Sequence, residues 1–290
     1  MPLEIRRIHS ADRDAHEHFH AFVPLTFRRV DFRRWDERGG WNDDFTAWLL
    51  EEDGEVVASV GVTRMRLIVG GEARDGYQLG AVATHPGRRG RGHSRVLLEG
   101  VLAHIDADAS PVLLFANESV LAFYPRFGFR AVAQQRFDAQ TTVLPAAVTA
   151  SACEVADAAA RQRLAALCRA AAANDSVFSA RDYFSTLLWH LTYRPIQAYW
   201  LDDGHAIAAV ERRDDVLVLH DIVARRPFDL AAALPSLIDA PVSRIEFGFA
   251  PWRWWPNATP AGRYAGSPLF VRGIGHALAE PLRFPDLAQT

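Results

Sequence analysis

The chain has 290 residues, 49% hydrophobic and 23% charged, which fits a globular protein with room for two domains. A formal net charge of −3 and a pI near 6.4 argue against a nucleic-acid partner. No apolar run approaches the roughly 20 residues of a membrane span, and the N-terminus lacks a secretory apolar core, so we expect a cytoplasmic protein with no membrane partner. The two cysteines, Cys153 and Cys168, lack the spacing of metal ligands.

Hydrophobic periodicity predicts a mixed α/β first half. The predicted elements are a strand at 3–9, a helix at 11–27 with Ser10 as its N-cap, strands at 45–51, 55–68 and 76–84, a helix at 92–105, a strand at 112–116, a helix at 118–126 and strands near 129–135 and 137–144. Asp53-Gly54 predicts a hairpin turn. His16 and His20 share one helix face, but with no third ligand in view we expect no metal site.

A linker at 145–151 precedes a second series of elements. Predicted helices at 155–173 and 180–192 are followed by strands at 195–201, 205–212 and 216–223, a helix at 228–238 and a strand at 242–249. This order repeats that of the first half, so we predict two domains, 1–145 and 150–290. An unrelated α+β domain in the second half is the alternative.

The stretch 82–95 reads V-A-T-H-P-G-R-R-G-R-G-H-S-R and links a predicted strand to a predicted helix. Unpaired N–H groups at a helix N-terminus favour a phosphate, and Gly90 and Gly92 let the backbone approach it closely. The spacing matches neither a Walker A loop nor the dinucleotide fingerprint. A solvated arginine-rich loop is the alternative. The arginines that add positive charge here are Arg88, Arg89, Arg91 and Arg95.

Two motifs carry a resemblance to a known family. Residues 89–94, R-G-R-G-H-S, match the acetyl-CoA loop [RQ]-x-x-G-x-[GA] of the GNAT (Gcn5-related) N-acetyltransferase superfamily, with Ser94 at the final small position. Residues 117–129, N-E-S-V-L-A-F-Y-P-R-F-G-F, resemble the later motif of that superfamily in nearly every position. The long strand pair across 68–76 also resembles the enhanced-intracellular-survival type, which acts on aminoglycosides and other polyamines.

The resemblance implies a GNAT fold, in which helices flank a mixed central sheet. It also implies that the second domain is a degenerate GNAT-like copy, because no glycine follows strand 216–223 to admit a pyrophosphate. Asn117 is expected to hydrogen-bond the CoA arm and Tyr124 to protonate the departing thiolate. The backbone of Val82, Ala83 and Thr84 would pair with pantetheine, and the amides of Arg89, Gly90, Arg91, Gly92, His93, Ser94 and Arg95 would hold the pyrophosphate.

The implied activity is N-acetyl transfer from acetyl-CoA to an amine of a small molecule or peptide, by direct attack and without a metal, in a monomer or homodimer. Asp75, just before the fourth strand, is a candidate for the general base; a solvated charge at the glycine-rich hairpin tip that it shares with Glu72 is the alternative. His85 lies at the loop mouth. A non-catalytic acyl-CoA sensor and an aminoacyl-tRNA-dependent transferase on the same fold are the alternatives.

Two further features have open interpretations. The W-R-W-W run at 252–255 could, with nearby aspartates, attract a cationic acceptor, or could form a hydrophobic corner between domains. Asp221 is a charge inside a predicted apolar strand and either pairs with an arginine or faces the cleft. The aspartates that would accompany the tryptophan run are Asp202, Asp203, Asp214 and Asp215.

Overall fold

The computed structural model describes residues 3–27, 30–275, 278 and 281–290, and in them the chain forms two mixed sheets flanked by helices. The strands are β1 (Leu3–Ile8), β2 (Phe45–Glu52), β3 (Glu55–Val69), β4 (Glu72–Thr84), β5 (Val112–Phe115), β6 (Arg130–Val132), β7 (Gln135–Val143), β8 (Phe178–Arg181), β9 (Gln197–Leu201), β10 (Ala206–Arg213), β11 (Val216–Ala224), β12 (Val242–Phe247), β13 (Thr259–Arg263) and β14 (Leu269–Arg272). The helices are α1 (His16–Thr26), α2 (Arg33–Glu37), α3 (His93–Asp106), α4 (Ala158–Ala170), α5 (Phe184–Tyr193) and α6 (Leu230–Ala233).

The first sheet has the order β1-β2-β3-β4-β5-β14-β6, with β8 beside the outer half of β3. β1 to β4 are antiparallel neighbours, and β4 and β5 are parallel. The Asp53-Gly54 hairpin is confirmed, and both residues have positive φ. Helix α3 covers one face because apolar residues recur at helical spacing along it. Its buried residues include Leu97, Leu98, Val101, Leu102 and Ile105.

The second sheet repeats this pattern in the order β13-β7-β12-β11-β10-β9. β9, β10 and β11 are antiparallel neighbours, and β11 and β12 are parallel. Each sheet then continues with an antiparallel strand beside its parallel pair, β14 next to β5 and β7 next to β12. The two halves of the chain therefore share one strand pattern, which agrees with a tandem arrangement of GNAT-like units.

The two sheets exchange strands. β7, which precedes the predicted linker, lies in the second sheet, and β14, from the C-terminal half, lies between β5 and β6 in the first. Arg272 fixes β14 by donating from Nε to the Phe127 carbonyl (2.9 Å) and pairing through both Nη atoms with Asp106 of α3. The predicted limits at 145 and 150 fall between β7 and α4, and neither sheet is complete without a strand from beyond them.

Some local predictions are wrong. Residues 118–126 form no α-helix but two 3-10 turns, Glu118–Val120 and Tyr124–Phe127, because the Asn117 side chain caps the first turn and Pro125 lacks the N–H that a continuous helix needs. Ser10 does not cap α1; its hydroxyl donates to Asp43 Oδ1 (2.5 Å). Strands β8, β13 and β14 were not predicted. Within the described part of the chain, no helix has both the length and the apolar character needed to cross a bilayer.

We expect Leu269→Ala to lower the free energy of unfolding by about 2–5 kcal/mol, because Leu269 is fully buried in β14 and truncation leaves a cavity. Urea denaturation followed by tryptophan fluorescence and by far-UV circular dichroism measures the change. The control is Leu144→Ala, at a side chain that is 64% exposed. A change below about 0.5 kcal/mol for Leu269→Ala would contradict the role given to the exchanged strand.

Candidate active site

The parallel strands β4 and β5 separate in the middle of the first sheet. They pair only from Tyr77 to Leu79 on β4, and β4 then continues to Thr84 with no β5 partner. At this point a bulge sets Ala81, at φ +47°, and Val82 opposite the single residue Val60 of β3. The sheet therefore opens into a fork whose β4 edge, at residues 80–84, can pair with an added extended chain.

The loop after β4 carries the backbone to the start of α3. The first residue of α3 is His93, and Gly90 (φ +79°) and Gly92 (φ +84°) adopt the left-handed conformation that lets the chain turn into the helix. The Thr84 and Ser94 hydroxyls share a hydrogen bond, so the end of β4 is tied to the first turn of α3. The open edge and the helix N-terminus are thereby held together as one surface.

The arginines of this loop differ in their partners. Arg88 is held by Glu52 (2.9 Å) and Glu55 (3.2 Å). In contrast, Arg89, Arg91 and Arg95 are exposed, and none forms an ion pair with another described residue. The His93 side chain is buried, and neither of its ring nitrogens has a hydrogen-bond partner among those residues.

A cavity of about 320 Å³ lies at the mouth of the fork. One wall comes from the chain around α2, a second from α5 of the other half, and the floor from the β4 bulge. The described lining residues are Phe27, Val30, Phe32, Trp35, Phe45, Thr63, Leu79, Gly80, Ala81, Val82, Phe115, Asn117, Val120, Tyr124, Ser185, Thr186, Trp189, Ser267, Gln289 and Thr290.

Hydrogen bonds between the two halves fix the aromatic walls. Trp35 donates from Nε1 to the Ser185 carbonyl (2.8 Å), and Ser185 Oγ donates to the Gly40 carbonyl (2.8 Å). A Cβ at residue 40 would lie 2.0 Å from the Trp35 ring, so this approach requires glycine. No sequence motif indicates that α5 contributes to this wall, because its residues become neighbours of Trp35 only when the chain folds.

Tyr124 lines the cavity and is only 5% exposed. Burial raises the pKa of its phenol to about 12, because the phenolate would lose its hydration. No described residue accepts or donates a hydrogen bond at its hydroxyl. Phe129 and Phe270 pack against the ring and fix its position. The hydroxyl is thus protonated at neutral pH and available to a ligand.

Asn117 is at the end of β5 and also lines the cavity. Its Oδ1 accepts from the Ser119 amide (2.9 Å) and the Ser119 hydroxyl (2.8 Å). This leaves the Asn117 amide N–H groups for a ligand. The fold therefore brings Val82, Asn117 and Tyr124 to one cavity, with Thr84 and the loop beside it.

The other predicted acid–base candidates lie elsewhere. Asp75 is exposed near the hairpin tip and pairs with Arg66 (3.5 Å), and Glu72 pairs with Arg74 (2.9 Å). His85 accepts a hydrogen bond from the Gly87 amide (3.2 Å) and so shapes the loop. None of the three lines the cavity that holds Tyr124.

The fold supplies a third group beside the two histidines of α1. Asp36 Oδ2 lies 2.7 Å from His16 Nδ1 and 3.0 Å from His20 Nε2, and His16 Nε2 contacts the His9 carbonyl (3.0 Å). The three ligand atoms lie within 4.8 Å of one another, a grouping that could hold a metal ion. Partial burial acts to raise the pKa of Asp36, but the hydrogen bonds and charge interactions with the two histidines outweigh it, so the pKa lies below its usual value.

The tryptophan run belongs to the core of the second sheet. Trp254 is buried and donates from Nε1 to Asn174 Oδ1 (2.8 Å), and Trp252 packs against Phe137. Of the aspartates predicted to accompany it, Asp202 pairs with Arg226, Asp215 accepts from the Ser243 hydroxyl, and Asp203 and Asp214 occupy turns with positive φ. None of these residues lines the cavity, so the run does not attract an acceptor there, and it packs in the core of the second sheet and not in a corner between domains.

Asp221 is fully buried on β11 and forms no ion pair with any arginine that the structure describes. Its carboxyl accepts from Asn174 Nδ2 (2.7 Å), the Tyr183 hydroxyl (3.0 Å) and the Ile222 amide (2.9 Å). Burial nevertheless raises its pKa to about 8, because desolvation outweighs these three donors. Asp221 is therefore a structural carboxyl of the second sheet.

Comparison with known proteins agrees with this geometry. Residues 5–132 match the family model of the acetyltransferase (GNAT) domain. This part of the chain is a GNAT domain. The matched segment contains the fork, the glycine-arginine loop, Asn117 and Tyr124. The comparison with curated proteins found no match to this sequence.

Solved structures resemble almost the whole chain. A conserved protein from Enterococcus faecalis, described as a probable N-acyltransferase, shares 14% identity with a TM-score of 0.60, over 94% of this chain and 73% of that one. Eis1 from Mycobacterium abscessus shares 17% identity with a TM-score of 0.60, over 93% and 73%. A GCN5-related N-acetyltransferase from Kribbella flavida shares 16% with a TM-score of 0.58, over 93% and 70%. At these identities the likeness establishes the fold alone.

We expect Asp221→Asn to flatten the pH dependence of stability. The folded-state pKa of Asp221, about 8, is above the ordinary value of about 3.9, so the folded protein binds the extra proton and stability falls as pH rises between these values. The slope that the variant removes is at most about 1.4 kcal/mol per pH unit. Urea denaturation at pH 5, 6, 7 and 8 measures it, with the exposed turn residue changed in Asp214→Asn as control. Parallel curves for wild type and Asp221→Asn would contradict the assignment.

Proposed function

We propose that the chain is an acetyl-CoA-dependent N-acetyltransferase, and that residues 80–95, Asn117 and Tyr124 form its cofactor and catalytic site. The observation that supports this most directly is the fork between β4 and β5, which opens onto the cavity that holds Tyr124. An open strand edge suits the amide-bearing pantetheine arm. The glycine-arginine loop at the N-terminus of α3 suits the pyrophosphate.

In this proposal each part of the chain binds a defined part of acetyl-CoA. The backbone of Val82, Ala83 and Thr84 pairs with pantetheine, and the Asn117 amide donates to the same arm. The amides of residues 89–95 hold the pyrophosphate, with Arg89, Arg91 and Arg95 adding charge that no described acidic side chain neutralises. Arg88 instead holds the loop to β2 and β3 through Glu52 and Glu55.

The reaction needs no covalent enzyme intermediate. The acceptor nitrogen attacks the thioester carbonyl, a C–N bond forms, the C–S bond breaks, and one proton passes from nitrogen to sulfur. Tyr124 gives its proton to the departing sulfur and recovers one from the acylated nitrogen. Its raised pKa keeps the phenol protonated until the C–S bond breaks, and makes the phenolate a strong acceptor for the nitrogen proton.

The second unit is proposed not to bind CoA. Its parallel pair β11 and β12 also ends, at Leu219 and Phe247, but the edge that follows β12 is occupied by the chain itself: the Asp286 amide donates to the Gly248 carbonyl (2.8 Å), and the Ala250 amide donates to the Arg283 carbonyl (3.3 Å). The segment after β11 has no glycine before α6. This unit instead supplies α5 to the wall of the cavity.

We expect Tyr124→Phe to lower kcat about 100-fold and to leave the affinity for acetyl-CoA nearly unchanged, because the variant keeps the ring and loses only the proton donor. Release of free CoA thiol with an amine panel measures kcat, and calorimetric titration measures affinity. The control is Tyr199→Phe, a change of the same kind on β9 of the second sheet. Equal kcat in Tyr124→Phe and wild type would remove the general-acid role. Wild-type binding of acetyl-CoA without thiol release would favour the sensor.

We expect Arg89→Glu to weaken acetyl-CoA binding at least tenfold, because it reverses the charge beside the proposed pyrophosphate site. Titration at two salt concentrations measures the effect, which should shrink at high salt. Arg263→Glu, the same change at an exposed position of β13, is the control and should not alter binding. Unchanged affinity in Arg89→Glu would mean that the loop does not hold the cofactor.

A further inference from the structure

The acceptor side of the cavity is a continuous aromatic surface built by both halves of the chain. Phe32 lies 5.6 Å from Trp35 and 6.2 Å from Trp189, measured between ring centroids, and Trp35 lies 5.1 Å from Phe45. The bond from Trp35 to the Ser185 carbonyl keeps this surface from collapsing or rotating. Rings held in this way offer an apolar body a preformed site.

The same cavity offers no acidic side chain to a cation. Among the described residues that line it, Tyr124 is the only one with an ionisable side chain, and its phenol is neutral below a pKa of about 12. The hydroxyls of Ser185 and Thr186 donate to the Gly40 and Tyr183 carbonyls (2.8 and 3.0 Å). A polycation entering here would lose water from several ammonium groups, and no described side chain of the lining would offer a negative charge in return.

The size of the cavity sets a further limit. Its volume of about 320 Å³ is at the lower end of the range for small-molecule sites. In the proposed function part of this space, beside Val82 and Asn117, belongs to the thioester end of the cofactor. What remains suits one or two rings and not a linked series of sugars.

We propose that the acceptor is a small arylalkylamine, a primary amine on a short chain that ends in an aromatic ring, and not a polyamine or an aminoglycoside. This inference rests on the proposed transferase function and assigns its substrate class. The ring packs on Phe32, Trp35 and Trp189, and the amine points to the β4 bulge and Tyr124.

The apolar lining also bears on how the amine becomes a nucleophile. Only the uncharged amine can attack, and transfer from water to apolar surroundings favours that form over the ammonium. A single amine loses the hydration of one charged nitrogen, whereas a polyamine loses it at every charged nitrogen that enters the cavity. The proposed class is therefore the one that the described lining can both bind and activate without an acidic side chain.

Thiol release with matched amines tests the proposal. We expect kcat/KM for 2-phenylethylamine to exceed that for ethylamine about 100-fold, because the ring buries apolar area on the aromatic wall. It should also exceed the values for spermidine and kanamycin at least tenfold. A polyamine or aminoglycoside that equals or exceeds 2-phenylethylamine would overturn the proposal, and so would faster reaction of a peptide with an N-terminal phenylalanine.

Two variants test the site itself. Trp189→Ala should raise KM for 2-phenylethylamine at least tenfold and leave KM for acetyl-CoA unchanged. Trp200→Ala is the matched control, because Trp200 is likewise half-buried against the same core and does not line the cavity. Ser267→Asp, at an exposed lining position that tolerates a charge, should raise kcat/KM for spermidine about tenfold. Equal effects of Trp189→Ala and Trp200→Ala, or no gain in Ser267→Asp, would count against the assignment.

A binding measurement separates this proposal from the catalytic one. Titration of Tyr124→Phe with 2-phenylethylamine or spermidine, followed by tryptophan fluorescence, reports acceptor binding without turnover. Selective binding of 2-phenylethylamine without thiol release by wild type would support the ligand class and overturn the transferase function. Thiol release with amines of every class, without selective binding, would support the transferase and overturn the ligand class.

Discussion

The structure depends on the loss of pairing between β4 and β5 after Leu79. Buried strands normally keep their ladders, because an unpaired N–H or C=O away from water costs free energy. Here the bulge at Ala81, held at positive φ, turns the end of β4 away and leaves its edge facing a cavity. The hydrogen bond between Thr84 and Ser94 then fixes the start of α3 beside that edge. A backbone-pairing site and a helix N-terminus result from one local departure from regular sheet.

The second half of the chain matters to this site through two connections. Helix α5 supplies Ser185, Thr186 and Trp189 to the cavity wall. The segment 281–290 passes the end of the parallel pair in the second sheet, where the Asp286 amide donates to the Gly248 carbonyl. It ends beside the fork of the first sheet, where the Thr290 amide donates to Gln78 Oε1 (2.7 Å) and Gln78 Nε2 donates to the Ala288 carbonyl (2.7 Å). The same segment occupies the edge after β12 in one sheet and lines the cavity at the other. Because each sheet also contains a strand from the other half, the cavity depends on both units folding together.

The sequence predicted the parts of the site whose chemistry is local. The glycine-arginine loop, the strand before it and the helix after it depend on residues close in the chain, and the structure has them near the predicted positions. The helix predicted at 118–126 is wrong, because that prediction rests on apolar spacing and ignores the Asn117 cap and Pro125. The sequence does not predict strands β8 and β14, because each has only four residues and forms a strand only by pairing with a strand that is distant in the chain. Asp36 beside His16, and Trp189 beside Phe32, are likewise products of tertiary contact, which a single sequence does not encode locally.

Water exclusion links the chemistry of the cavity to its selectivity. The burial that raises the pKa of Tyr124 to about 12 is produced by the same apolar enclosure that leaves the lining without acidic side chains among the described residues. A carboxylate placed in the buried part of this lining to attract polycations would itself be desolvated, and its own pKa would rise toward neutrality, as that of buried Asp221 does in the second sheet. An enclosed apolar site therefore gains a protonated phenol and a neutral amine together, and gives up charge-based recognition of the acceptor. Under the proposed function, the acceptor is then selected by shape and apolar contact, which a wall of packed aromatic rings provides.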